Sequence, residues 1–109
     1  MHKLRINPLA LKDLQGIKKY ITKELDNSVS AVKVVERIIQ RYEKLRDFPT
    51  MGVSLSSNVS VPTNYRFLVS GDYIIFYKVE NDYISIYRIL NVKRDYLRIL
   101  LKDGEGLGL

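Results

Sequence analysis

The sequence predicts an α+β domain in which a helical hairpin covers one face of a small antiparallel sheet. Two apolar stripes at helical spacing fill the first 47 residues. Three runs of β-branched and aromatic residues, parted by two-residue turn signals, fill the second half. A polar connection bounded by Pro49 and Pro62 lies between them. The expected order is β-α-α-β-β-β-α, in one domain spanning residues 1–109.

Residues 3–6 (KLRI) read as a short strand. Asn7-Pro8 then reads as an N-cap with proline at the first helical position, where its missing N–H costs nothing. Leu11, Leu14, Ile17, Ile21 and Leu25 follow at helical steps and mark one face. Gly16 interrupts that helix and suggests a close crossing of another element, since glycine there costs about 1 kcal/mol against alanine. Asp26-Asn27-Ser28 caps a second helix, with a stripe of Val32, Val35, Ile39, Tyr42 and Leu45. Pro49 stops it, because proline disfavours helix at the preceding residue. The polar connection 48–63 is long for a loop and is expected to be mobile. Strands are expected over 65–70, 73–80 and 83–90, with Gly71-Asp72 suited to a type II′ turn and Asn81-Asp82 to a type I′ turn. A short helix follows over 93–102, and 103–109 (DGEGLGL) reads as a flexible tail.

The composition excludes several chemistries. With no cysteine there is no disulfide and no thiolate metal site. The single histidine, His2, is too little for a histidine zinc site or a Ser-His-Asp triad. No metal and no cofactor are expected. No apolar run approaches the roughly 20 residues that span a bilayer, and charges occupy the N-terminal stretch where a signal peptide would be apolar. A cytoplasmic protein without a membrane partner is the expectation. The net charge is +6, and residues 1–47 hold eleven Lys/Arg against six Asp/Glu, so +5 lies there. Such a balance suits an anionic partner.

The candidate site comes from the registers that two-residue turns impose. Arg66 falls opposite Tyr77, and Tyr77 opposite Ile86, with Arg88 on its diagonal. One face then carries Arg66, Leu68, Ile75, Tyr77, Val79, Ile84, Ile86, Arg88 and Leu90. The other carries Tyr65, Phe67, Val69, Ile74, Phe76, Lys78, Ser85, Tyr87 and Ile89. The phenylalanine-rich face is expected to pack on the helices. The arginine face is then a concave surface partly closed by the C-terminal segment, with Lys93, Arg94 and Tyr96 at its rim. It has no acid of its own, and a shielded arginine requires an anion.

The stretch YRFLVSGDYIIFYKVENDYISIYRILNVKRDY (65–96) resembles the C-terminal half of the RelE/ParE superfamily of bacterial type II toxins. FPTMG (48–52) resembles the Pro-x-x-Gly stretch such toxins carry before the sheet. The resemblance implies a growth-inhibiting toxin, of the kind linked to plasmid stabilisation, neutralised by a cognate antitoxin. RelE-like members cut mRNA on the ribosome, and ParE-like members poison DNA gyrase. As a metal-independent endoribonuclease, the chain would use Arg66, Arg88 and Arg94 on the phosphate and Tyr77 or Tyr96 for proton transfer. Two bases of the nuclease pattern are replaced by Leu68 and Ile74, and no histidine stands near the end. The Arg-x-Leu-Val-x-Gly-x-Tyr and Arg-Ile-Leu strands match the ParE-like branch, so gyrase is the expected target, with the ribosome and its mRNA as the alternative. A degenerate toxin that only binds antitoxin is the third reading. A homodimer and a toxin–antitoxin hetero-oligomer both stay open.

Overall fold

In the computed structural model, residues 1–57 and 63–102 are described; the tail expected over 103–109 lies outside the described residues. The order is β1 (Lys3–Ile6), α1 (Pro8–Glu24), α2 (Ser28–Glu43), a 3₁₀ turn (Lys44–Arg46), β2 (Val53–Ser54), a second 3₁₀ turn (Leu55–Ser57), β3 (Arg66–Ser70), β4 (Tyr73–Val79), β5 (Tyr83–Asn91) and α3 (Tyr96–Lys102). The α+β class and the element order follow the sequence. Two refinements concern the sheet. Its five strands run β1-β5-β4-β3-β2, with β1 parallel to β5. The connection before β3 is also not wholly irregular, because Val53 and Ser54 pair with Phe67 and Arg66.

The helix starts form as their residues dictate. The Asn7 side chain accepts from the Leu9 N–H at 2.9 Å, and the Asn27 side chain accepts from the Ser30 N–H at 2.9 Å. Each bond satisfies a donor that the first turn of a helix leaves open. The buried stripes lie slightly off the expected ones. Ala10, Leu14 and Ile21 face the core from α1, while Leu11 and Leu25 are exposed. Ala31, Ile38, Tyr42 and Leu45 do so from α2 and the turn after it, while Val32 is exposed. Alanine carries little weight in a hydropathy pattern, yet Ala10 and Ala31 are fully buried, and Ala10 packs in the layer between helices and sheet.

The sheet separates two apolar layers. On one side Ala10, Leu14, Ile38, Tyr42 and Leu45 pack against Leu68, Ile75, Tyr77, Ile84, Ile86 and Ile89. On the other, α3 brings Leu100 against Leu55, Tyr65, Ile74, Phe76 and Leu90, with Tyr96 and Tyr87 beside them. The helical hairpin therefore covers the face containing Tyr77, and the phenylalanine-rich face belongs to α3. This reverses the expectation. The reason lies in Lys78 and Ser85, which point to the phenylalanine side. Two broad amphipathic helices sealed over that side would trap a charge. Under the shorter α3 the Lys78 ammonium rests on the rings of Tyr65 and Tyr87, at 4.6 and 4.9 Å from their centroids.

Two turns decide the strand registers. Ser70 pairs with Tyr73 around Gly71, whose φ is +57°, as a II′-type turn requires. Arg66 therefore does lie opposite Tyr77. Asn81 and Asp82 also form a two-residue loop, closed by the Glu80 N–H on the Tyr83 carbonyl at 2.8 Å. Neither adopts positive φ, so the I′ form does not occur. Tyr77 still pairs with Ile86, but the next partner of β4, Phe76, pairs with Arg88. One residue of β5 bulges out there, and the residues after Arg88 change face. Ile89 joins the helix side and Leu90 the α3 side, the opposite of an unbroken ladder.

Candidate interaction site

The six predicted site residues do not share a hollow. They fall into four places, and each follows from the fold just described.

Arg66 and Tyr77 act on the 49–52 loop. The fully buried Tyr77 donates its O–H to the Pro49 carbonyl at 2.9 Å and accepts from the Gly52 N–H at 2.9 Å. Arg66 Nη2 donates to the carbonyls of Thr50 and Gly52, at 3.1 and 2.6 Å. Its Nε is buried without a partner. A methyl group at Gly52 would lie 2.6 Å from both the Phe67 carbonyl oxygen and the Tyr77 hydroxyl. The Pro-x-x-Gly stretch is thus a loop gripped by a phenol and a guanidinium, and its glycine is required by close approach. The Tyr77 hydroxyl is committed to that loop. A cavity of about 310 Å³ lined by Thr50, Ser54, Thr63, Asn64 and Val79 adjoins Arg66.

Arg88 is held by an acid of the same chain. Its Nε and Nη2 donate to the two carboxylate oxygens of Asp13 at 2.8 and 2.9 Å. Asp13 Oδ2 also accepts from the Ile89 N–H at 2.9 Å. The two side chains keep only 13% and 11% of their exposure, so the pair is largely removed from water. The end of β1 makes this contact possible. β1 covers β5 only as far as Ile86, so the later part of β5 is a free edge facing α1. The expectation of a face without a native counterion is overturned here. One signal in the sequence could have found this: Asp13 shares a helix row with Ala10 and Ile17, both of which face the core.

Tyr96 lies on the far side of the sheet from Tyr77. Its ring stacks at a tilt on Phe76, with centroids 5.3 Å apart. Lys93 and Arg94 sit on the exposed turn between β5 and α3, where the Lys93 N–H donates to the Asn91 side chain at 2.9 Å.

Arg94 belongs to a groove of about 420 Å³ between α1 and the free end of β5. α1 contributes Lys12, Gly16 and Tyr20 at steps of four, with Asp13 and Ile17 in the adjoining row. Tyr73, Ile89, Leu90 and Asn91 line the sheet side. Gly16 marks no helix crossing: a Cβ there meets nothing within 4 Å. Its missing side chain widens the groove. The Tyr73 phenol titrates above its ordinary range, mainly because it is buried and also because Asp72 and Tyr20 lie near; its hydrogen bond with the Asn91 side chain acts the other way. Lys12, Tyr20 and Tyr73 were not among the site residues expected from the sequence. Only the i, i+4 spacing of Lys12, Gly16 and Tyr20 hinted at a common face.

Comparison with known proteins gives three findings. A protein-family model described as ParE toxin of type II toxin-antitoxin system, parDE, matches residues 4–96. Among solved structures, a chain of the chromosomal ParDE TA system from P. aeruginosa superimposes with a TM-score of 0.70 at 24% identity, covering 84% of this chain and 96% of that one. No curated protein matches the sequence.

Proposed function

Since the chain belongs to the family of ParE toxins of type II toxin–antitoxin systems, matched over residues 4–96, we propose that it inhibits bacterial growth by binding DNA gyrase in the cytoplasm and that a cognate antitoxin neutralises it. The observation that supports a non-catalytic mode is the dispersal of its basic and phenolic groups. Metal-free RNA cleavage needs a proton acceptor, a proton donor and cations converging on one phosphate. Here Tyr77 is bound up in the 49–52 loop, Arg88 is bidentate to Asp13, and Tyr96 stacks on Phe76 across the sheet. No two of these three groups meet at one surface. A toxin that acts by occupying its target has no such requirement, and a net charge of +6 suits an acidic antitoxin segment.

The test is a supercoiling assay with purified gyrase. The toxin is expected to inhibit supercoiling or accumulate cleaved DNA–gyrase complexes, and coexpression of the neighbouring small reading frame is expected to restore growth. Cutting of ribosome-bound mRNA with gyrase untouched would reject the gyrase target. Induction without growth arrest would reduce the chain to an antitoxin binder.

A further inference from the structure

We propose that the cavity beside Arg66 is a binding site for a small phosphate monoester. Thr50, Ser54, Thr63, Asn64, Arg66 and Val79 line it. The charge of Arg66 carries the inference. This residue is half-buried, and both of its hydrogen bonds leave from Nη2 for the Thr50 and Gly52 carbonyls, which neutralise no charge. Its buried Nε has no partner. Among the described residues the ion pairs are Arg46–Glu43 and Arg88–Asp13, so Arg66 has no carboxylate. The cavity lining holds no Asp or Glu either. A guanidinium shielded in this way is stabilised by an anion beside it.

The rest of the lining fits a tetrahedral oxyanion. Thr50, Ser54 and Thr63 bring hydroxyls and Asn64 an amide, all of them able to donate. The Thr63 hydroxyl accepts from the Tyr65 N–H at 3.1 Å, which leaves its own proton for a ligand. A phosphate monoester offers three strong acceptor oxygens to such a set, where a carboxylate offers two. The volume of about 310 Å³ lies at the lower end of ligand pockets, about 300 to 1,000 Å³, so a small organic body fits beside the phosphate. A metal cation is the poorer fit, because no Asp, Glu or His lines the cavity. The Tyr77 hydroxyl nearby is committed to the 49–52 loop, and the lining offers no general base. The site therefore holds a phosphate without cleaving it.

The inference is independent of gyrase as target, because its test reads binding alone. The full chain is titrated with inorganic phosphate and with adenosine 5′-monophosphate, followed by phosphorus NMR at an ionic strength held constant with chloride. Saturable binding is expected. Tighter binding of the nucleotide gives the organic body a place in the cavity, equal binding assigns the phosphate alone, and both support the site. Val79→Glu puts a carboxylate at the exposed rim, where it pairs with Arg66 or repels the ligand. It is expected to weaken binding by about tenfold or more, the scale of one hydrogen bond to a charged group. Val69→Glu makes the same charge change at an exposed position of β3 outside the cavity and is expected to change little. Asn64→Ala, at another exposed position, removes one neutral donor and is expected to cost about twofold to fivefold. In Arg66→Gln the urea midpoint should no longer rise with added phosphate, as it should in the parent chain. Absence of saturable binding by both ligands, unchanged binding in Val79→Glu and Asn64→Ala, or an equal loss in Val69→Glu would each overturn the proposal. Acetate bound as tightly as phosphate would overturn its phosphate chemistry.

Discussion

Gly52 carries more structural consequence than its size suggests. A Cβ there would lie 2.6 Å from two oxygens, one of them backbone. Gly52→Ala is expected to destabilise the fold by about 2 to 4 kcal/mol, from overpacking plus strained loop hydrogen bonds, measurable by urea denaturation. Tyr77→Phe leaves the Gly52 N–H without its acceptor and should cost about 1 to 3 kcal/mol. Asp13 offers a sharper contrast. Asp13→Ala leaves a largely buried guanidinium and the Ile89 N–H without their carboxylate, and a loss of about 3 kcal/mol is expected. Asp13→Asn keeps an acceptor for the Ile89 N–H, so its loss in the same titration should be smaller. The phenols add a pH dependence. Burial raises Tyr42 and Tyr73 above the ordinary tyrosine value of 10.0; Glu43 adds for Tyr42 against Arg46, and Asp72 adds for Tyr73 against Asn91. The folded chain thus holds these protons more tightly than the unfolded one. Their contribution is complete below about pH 10 and is lost as pH rises through the raised folded values. Urea midpoints should fall above about pH 10, and less steeply in Tyr42→Phe or Tyr73→Phe.

At the scale of elements, the bulge in β5 does the most. It sends Ile89 to one layer and Leu90 to the other, and it sits where Arg88 turns toward α1. The stretches of β5 and β3 that β1 and β2 leave uncovered each have a backbone group taken by a helix side chain. Asp13 covers β5 beyond β1, and Arg41 Nε donates to the Val69 carbonyl of β3 at 3.2 Å beyond the short β2. Side chains so placed protect an edge from addition of another chain. Among the described residues, α3 is the one helix on the second face. Ending the chain after Arg94 should leave the helix-covered layer folded and expose Phe76, Ile74 and Leu90. Increased binding of a hydrophobic dye with retained far-ultraviolet circular dichroism is the expected result; loss of all cooperative unfolding would show instead that the two layers form one unit.

For the whole molecule, charge governs encounter more than fold. The +6 balance is spread over a surface whose best-placed ion pair, Arg88–Asp13, is internal. Attraction to an acidic partner then acts mainly on association. Raising salt from about 0.05 to 0.5 M should slow association with the antitoxin by roughly tenfold and change dissociation much less. Stopped-flow fluorescence separates the two rates. Equal effects on both would place the charges inside the contact instead of around it.

The sequence by itself determined the element order, the helix caps, the hairpin turn at Gly71 and the pairing of Arg66 with Tyr77. Each is set by residues within a few positions of one another, or by a two-residue loop that leaves no freedom of register. It also carried the family through the ordered strands of 65–96. Which face the helices cover, where β5 slips by one residue, and which acid reaches Arg88 were decided only in three dimensions. Those outcomes depend on the sum of burial over both faces and on Asp13, 75 residues from Arg88 along the chain. Local periodicity holds no information about such a contact, because its energy exists only once helix and sheet have met.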